Sequence, residues 1–217
     1  MEFKPSYTGP RKDVLRLVPP DARRVLDVGC GTGALGEEIK KRGDVEVVGI
    51  ELDERMAAEA GTRLDGVIVA DVEGDDLEKR LEPSSFDCIV FADVLEHLKD
   101  PWGVLDRMTA FMRDGGRIVA SLPNVRHFTT VRSLVLGGRW PYRERGVHDR
   151  THLRFFTLKN IRDMFGDAGL TILRVERNYR VLERFHPLNR CSKYFALPFI
   201  KDFLTYQYLI VAGKERR

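Results

Sequence analysis

Val25-Leu26-Asp27-Val28-Gly29-Cys30-Gly31-Thr32-Gly33 is the stretch that decides the fold. An apolar run with an acidic residue near its end breaks into three glycines at alternate positions, and a helical pattern follows from Ala34 to Arg42. That order spells a strand, a tight turn and a helix N-terminus. Glycine lets a ligand approach the backbone closely because no Cβ stands in the way. The helix start adds free N–H groups. In open α/β sheets a turn of this kind, at the carboxyl end of a strand, is where ligands sit.

Outward from the turn the chain alternates. A short helix is expected over 10–18, ahead of Pro19-Pro20, and the first strand over 24–28. The first helix of the sheet runs over 35–41 and stops at Gly43. The second strand, 45–50, ends in Glu51, about twenty positions past the turn, where a carboxylate can accept both hydrogen bonds of a ribose diol. Asp53 reads as an N-cap for a helix through Glu59. A third strand, 66–70, ends at Asp71-Val72. There a carboxylate can accept from an adenine amino group while the next N–H donates to the ring. Asp75 and Asp76 open a short helix to Leu81. The fourth strand, 86–91, runs into the loop Ala92-Asp93-Val94-Leu95-Glu96-His97-Leu98, whose Asp93, Glu96 and His97 are candidates for cofactor contact or proton transfer. Pro101 opens a helix to Met112, and Gly115-Gly116 turns into a fifth strand, 117–122. Five strands alternating with helices predict a parallel doubly wound α/β sheet.

After Pro123-Asn124 the pattern breaks. Residues 125–156 are rich in Arg, His and aromatics; one helix is expected over 126–136 and a loop or lid beyond it. Thr157 caps a helix through Gly169, a strand covers 171–178, an apolar and basic stretch covers 185–202, and a last strand covers 204–212.

The 217 residues suit one globular domain with a substantial core. The N-terminal MEFKPSYTGPRKD does not read as a secretory signal, and no apolar run reaches the ~20 residues of a membrane span. Three widely separated cysteines (Cys30, Cys88, Cys191) have neither disulfide nor zinc-ligand spacing. Together these point to a cytoplasmic protein. Cys30 is read as a small filler of the turn rather than a nucleophile. The net charge of +3 hides an asymmetry: residues 1–122 hold 17 Lys and Arg against 25 Asp and Glu, a net −8, and residues 123–217 hold 19 against 8, a net +11. A basic C-terminal part suits an anionic partner or a solvated surface.

Taken together, VLDVGCGTG (25–33), Glu51, Asp71, FDCIVFADVLEHLKDP (86–101) and GGRIVASLPN (115–124) resemble the class I S-adenosylmethionine-dependent methyltransferases in order and spacing. The resemblance implies a Rossmann-like, doubly wound, seven-stranded sheet whose last strand is antiparallel, with a lid insertion after the fifth strand. It implies one domain over 1–217, with 20–124 as the cofactor-binding half and 125–156 and 180–203 on the acceptor side. S-adenosylmethionine would be the cofactor. Gly29, Gly31 and Gly33, with Cys30 in the turn, would lie against its methionine part, with Asp27 organising the turn. Glu51 and Leu52 would meet the ribose, Asp71 and Val72 the adenine, and Ala92 and Asp93 the far side. Tyr7 and Arg11 would close over it. A second run, His148-Asp149-Arg150-Thr151-His152-Leu153-Arg154-Phe155-Phe156-Thr157, resembles an H-D-x-T-H-x-R-F-F-T segment of a methyltransferase subgroup associated with glycan and cell-envelope biosynthesis.

Methyl transfer from a sulfonium to an aliphatic or sugar hydroxyl needs alignment, exclusion of water and a base. His148 and His152, four apart with Asp149 between, supply a base and its orienter, and the expectation assigns all three as catalytic. The same trio can instead bind a divalent metal or hold the lid by hydrogen bonds; no metal ligand is assigned. Arg150 and Arg154 pair either with a phosphate or with Asp163 or Glu144. The aromatics and lysines of 185–203 suit a peripheral membrane or lipid-linked contact, or a helix packed on the sheet. The expected acceptor is a small molecule, anionic or saccharide-containing, methylated at oxygen. Nucleic acid is disfavoured, because the loop after the fourth strand lacks an Asn/Asp-Pro-Pro-aromatic tetrad. Two rivals stand beside this. A non-catalytic cofactor-binding regulator or scaffold is one. The other is an NAD-dependent oxidoreductase, for which Gly29, Gly31 and Ala34 loosely fit G-x-G-x-x-G/A while Asp71 has no use.

Overall fold

A computed structural model describes residues 9–74, 77–180, 197 and 200–214. The strands are β1 (Arg24–Val28), β2 (Glu46–Glu51), β3 (Gly66–Val69), β4 (Phe86–Ala92), β5 (Met112–Pro123), β6 (Leu170–Tyr179) and β7 (Thr205–Lys214). The helices are α1 (Lys12–Leu15), α2 (Ala34–Lys40), α3 (Glu54–Ala60), α4 (Pro101–Thr109), α5 (Phe128–Gly137), α6 (Leu158–Asp167) and α7 (Lys201–Leu204). They build one seven-stranded sheet in the order β3-β2-β1-β4-β5-β7-β6. The first five strands are parallel. β7 runs antiparallel to both β5 and β6 and lies between them.

β1 and β4 are nearly all buried because both faces of the sheet are covered. One core cluster joins Leu26, Ile50, Phe91 and Leu105 to Phe165 and Ile210; the other joins Val25, Val47, Cys88 and Val90 to Val14, Leu35 and Leu209. The five parallel strands therefore point their carboxyl ends to one edge, where the direction of winding reverses between β1 and β4. That reversal is the position at which doubly wound sheets bind ligands.

Several caps stand where the sequence put them. Asp53 accepts from the backbone N–H of Arg55 and Met56 at 2.9 and 3.1 Å. Thr157 and Asn160 form a reciprocal capping box on α6. Four boundaries differ. The helix expected over 10–18 is only α1, followed by turns, because Arg11 is left-handed (φ 36°) and blocks an earlier start. The helix expected to reach Met112 stops at Thr109, and Met112 already pairs with Phe86. The pairing then jumps from Phe86–Met112 to Cys88–Arg117, so Gly115-Gly116 form a bulge inside β5 rather than a turn ahead of it. A Cβ on Gly116 would meet the Arg113 carbonyl at 2.8 Å, so glycine is required there. The helix expected to end at Leu81 is a single 3-10 turn, Leu77–Lys79; its start at Asp75 and Asp76 lies outside the described residues, as do Tyr7 and residues 181–196, 198 and 199, Cys191 among them.

The chain between β5 and α6 is the expected lid. Asn124 ties both its ends: its backbone bridges Phe156, and its side-chain amide donates to the carbonyls of Asp202 and Thr205 at 2.6 and 2.8 Å. No helix among the described residues is long and apolar enough to cross a membrane.

Candidate active site

The glycine turn leaves β1 with Gly29, Gly31 and Gly33 all at positive φ (67°, 56° and 78°). L side chains rarely adopt this conformation. A Cβ on Gly29 would also lie 2.7 Å from Val94 Cγ2, in the loop after β4. The turn is hung on β2 by hydrogen bonds from the N–H of Gly29 and Cys30 to the Ile50 carbonyl, at 2.8 and 3.0 Å. Arg63 fixes its far side, donating to the Thr32 carbonyl at 2.8 Å. Gly33 sits at the N-cap position of α2.

Glu51 closes the other side. One carboxylate oxygen accepts the Gly31 N–H at 2.8 Å, and the other accepts the Asp53 N–H at 2.9 Å. A carboxylate offers about four lone-pair positions, so each oxygen keeps acceptor capacity. Leu52 stands out from the strand end, 66% exposed. Asp27 lies under the turn, 1% exposed, with Oδ2 lacking a hydrogen-bond partner. Burial first, and the Glu51 charge second, push its carboxyl up to about 7. The same burial raises the Cys30 thiol, with Asp27 and Glu51 adding to the effect. A thiol held protonated is inert, and Cys30 Sγ fills the space that Gly49 leaves on β2. Asp71, after β3, is exposed and accepts the Glu73 N–H at 2.9 Å; Val72 beside it is buried.

At the end of β4, Ala92 pairs with Ser121 and Asp93 takes a left-handed φ of 59°. Asp93 is the hub of a polar cluster. Its Oδ1 accepts the Ser121 hydroxyl at 2.8 Å and the Gln207 amide, and its Oδ2 pairs with Arg11. Arg11 also pairs with Asp13 at 3.1 Å, and Asn178 joins Asp13 at 2.7 Å. Burial works against the Arg11 charge, but Asp93 and Asp13 outweigh it and hold the guanidinium protonated. Arg11 thus stands at the end of β4, beside Asp93. Gln207 and Asn178 carry no motif, and only the strand pairing brings them there.

The lid residues divide. His148 is 1% exposed; its Nε2 meets the Thr130 hydroxyl at 3.0 Å and its ring stands edge-on to Trp140. The side chain is enclosed in the lid's own packing, the arrangement of the structural alternative. Asp149 binds Thr151. It accepts the Thr151 N–H at 2.9 Å and the Thr151 hydroxyl at 2.7 Å. Burial alone would raise its carboxyl; the Thr151 bonds, with His152 and His97 nearby, leave it below the ordinary value. Arg150 pairs with Glu144 at 2.5 Å, one of its expected partners, whereas Arg154 donates to the Lys99 carbonyl at 2.9 Å, a partner not expected.

His152 instead meets His97, ring centroids 4.8 Å apart and edge to face. With Glu96 they form a group whose ligand-type atoms all lie within 4.8 Å of one another. Backbone bonds from Leu153 and Arg154 N–H to the Glu96 carbonyl, at 2.8 and 3.0 Å, clamp the lid onto this turn. Burial, then the neighbouring His97, lowers His152 to about 4, so it is neutral at pH 7. Glu96 is 1% exposed, and burial, with Asp93 next, raises its carboxyl well above the usual range. The spacing within 148–152 does not announce this neighbour, because His97 comes from the loop after β4.

The end of the sheet thus carries a glycine turn, a carboxylate that grips it, and a polar corner roofed by the lid. A family model described as a methyltransferase domain matches residues 7–175. The chain is 28% identical over 175 residues to the ubiquinone biosynthesis O-methyltransferase of Cupriavidus pinatubonensis, covering 77% of this chain and 68% of that one. It is 30% identical over 181 residues to the protein of the same name from Ralstonia nicotianae (78% and 73%) and 32% over 142 residues to that of Xylella fastidiosa (62% and 56%). The chain therefore spans between just over half and about three quarters of these relatives' lengths. None of these names mentions a saccharide. Among solved structures, a SAM-dependent methyltransferase from Archaeoglobus fulgidus superposes with TM-score 0.69 at 19% identity, covering 95% of both chains. Magnesium protoporphyrin IX methyltransferase from Synechocystis, solved with bound SAH, gives 0.64 at 17% identity, with 94% and 81% covered. The cyclase SpnF gives 0.65 at 18% identity, with 93% and 79% covered, so the fold alone does not fix the reaction. With residues 7–175 matched, the chain belongs to the methyltransferase-domain family and carries the fold of the S-adenosylmethionine-dependent methyltransferases.

Proposed function

We propose that this protein transfers a methyl group from S-adenosylmethionine to a hydroxyl oxygen of a small-molecule acceptor. The observation that carries the proposal is the Glu51–Gly31 cradle standing at the same sheet edge as the Glu96–His97–His152 corner. The residues suit the cofactor. Glu51 keeps a free acceptor position on each oxygen for a diol. The unpartnered Oδ2 of Asp27 suits a cationic ligand nearby. Leu52 and Val72 offer apolar surface to a base, Asp71 an acceptor to its amino group, and Ala92 and Asp93 the opposite wall. Gly29, Gly31 and Gly33 let the ligand touch the backbone, and Cys30 only fills the turn.

The bound cofactor supplies the methyl on a sulfonium. The chain's own residues align the acceptor, exclude water and handle the hydroxyl proton. We assign that last task to the corner of His152, His97 and Glu96. Asp149 acts as a positioning residue through Thr151, whose hydroxyl lies 3.2 Å from His97 Nδ1. The names of the relatives support oxygen as the methylated atom. The saccharide reading rests on the resemblance of 148–157 alone, and an anionic acceptor on the net +11 of residues 123–217. One domain over 1–217, with 20–124 holding the cofactor and 125–156 and 180–203 facing the acceptor, and a cytoplasmic location complete the reading.

Calorimetric titration with S-adenosylhomocysteine, with NAD as control, tests the cofactor. Micromolar binding of the first and none of the second is expected, and Glu51→Ala is expected to weaken it at least tenfold, about 1.4 kcal/mol. Unchanged affinity in that variant removes Glu51 from the site. Tight binding without methyl incorporation into any small hydroxylated acceptor favours the non-catalytic regulator.

A further inference from the structure

We infer that Arg107 of α4 is a positioning residue for the cofactor's base: with Glu73 it latches the loop after β3, so that Asp71 and Val72 take adenine and refuse a 6-oxo purine. The inference rests on the reading above that this loop receives the base. Arg107 reaches across from α4 and donates to the Val72 carbonyl. Glu73 ties the loop in the other direction: its Oε1 accepts the N–H of Asp100, the N-cap residue of α4, at 2.7 Å. Asp100 Oδ1 in turn accepts the Gly103 N–H at 3.1 Å. Arg80, just past the 3-10 turn, donates to the Val69 carbonyl at 2.9 Å. The run from 69 to 73 is thus held from outside at three of its residues.

The partner of Arg107 is not the one its surroundings would suggest. A pocket of about 220 Å³ lined by Glu73, Asp100, Gly103, Val104 and Arg107 brings two carboxylates near it. A guanidinium makes its strongest bonds to carboxylates, often two at once. Both acids are committed elsewhere, Glu73 to the Asp100 N–H and Asp100 to the start of α4. Among the described residues the guanidinium bonds to the Val72 carbonyl instead, and its buried Nε has no hydrogen-bond partner. A long cationic side chain is thereby given over to fixing one peptide group of the loop.

That peptide's neighbour does the selecting. Adenine offers a 6-amino donor and accepts at ring N1; a 6-oxo purine offers an acceptor at position 6 and a donor at N1. The Asp71 carboxylate only accepts, and the Val72 N–H only donates, so the pair fits the first pattern. A loose loop could answer the second by turning the Asp71–Val72 peptide over, which brings a carbonyl to N1. The loop's own bonds oppose that turn: the Gly74 N–H lies 3.2 Å from the Asp71 carbonyl, and the Glu73 N–H lies 2.9 Å from Asp71 Oδ1. Arg107 and Glu73 anchor the residues those bonds depend on. Groups that cannot rearrange are left unpaired by the wrong ligand, and large discrimination comes from that loss. Arg107 acts through Val72 and does not itself touch the base.

The test is calorimetry of the full chain with S-adenosylhomocysteine and with S-inosylhomocysteine, its 6-oxo counterpart, with thermal melts to confirm the fold of each variant. The parent is expected to prefer the adenosyl compound by about a hundredfold or more. Arg107→Met keeps the length of the side chain and loses the donors. It is expected to bind the adenosyl compound about tenfold more weakly and the inosyl compound as the parent does, so that the preference falls by the same factor. Arg107→Lys, which can still reach one carbonyl, is expected to restore most of it. Where Arg107→Met does not fold, Glu73→Ala carries the same expectation. A folded variant that keeps the parent's preference, or that loses affinity for both compounds equally, overturns the latch and leaves the adenine reading standing. A parent that binds both compounds alike removes the base from Asp71 and Val72 and takes the latch with it.

Discussion

The glycine turn after β1 and the corner under the lid are both polar sites at one edge of one sheet, yet they are built in different ways. At the turn, backbone does the work: three residues at positive φ, two N–H groups on the Ile50 carbonyl, and a carboxylate gripping Gly31. At the corner, side chains from residues 96–97 and 152 meet across a lid, held by backbone bonds to a single carbonyl. The first arrangement tolerates almost no change of residue type and leaves a motif. The second depends on where two loops meet and leaves only scattered histidines.

The largest effect expected from this contrast is at Gly29. Gly29→Ala forces a Cβ to within 2.7 Å of Val94 at a left-handed φ. We expect about 2 kcal/mol of lost stability and at least a hundredfold weaker S-adenosylhomocysteine binding, read by melting and calorimetry. A variant that binds normally would show that the turn does not need its glycine. An intermediate effect separates the two regions: His152→Ala is expected to leave cofactor affinity within twofold while methyl transfer falls tenfold or more, measured in the same preparation. Loss of cofactor affinity would make the corner part of the cofactor site and end the contrast.

The smallest effect lies under the turn. The Asp27 carboxyl titrates near 7 in the fold, against 3.8 ordinarily. Between those values the folded chain holds more proton than the unfolded one, so stability falls as pH rises from about 4 to about 7. Asp27→Asn removes the slope. Between pH 5 and pH 8 its melting temperature is expected to gain on the parent by a few degrees, on the order of 1 kcal/mol. A constant difference across that range would mean that Asp27 is ionised and satisfied in the fold.

The parallel half was legible because its signals are local. Strand runs, caps such as Asp53 and the glycine spacing each follow from neighbouring residues, and Glu51 follows from its distance to the turn. The bulge at Gly115-Gly116 was misplaced because a glycine pair reads the same ahead of a strand as inside one; only pairing of Phe86 with Met112 tells them apart. The contacts of the lid were hidden for a similar reason. Four-residue spacing suggested that His148 and His152 work together, but Thr130 and Trp140 enclose the first, while the loop after β4 supplies His97 to the second. The cluster on Asp93 draws Gln207 and Asn178 from strands more than eighty residues downstream, and neither carries a mark of its own.

The place of β7 has a consequence for the order in which the molecule comes together. Ile118 pairs with Ala212, and β6 joins the sheet only through β7. A growing chain that has delivered everything up to residue 204 therefore holds an unsealed β5 edge and a β6 with no strand to dock on. Long-range pairing of this kind is slow to form, and Gln207 reaches Asp93 only when it does. The site's last polar contact is thus made only once β7 has been delivered, and the nascent protein stays chemically incomplete until then.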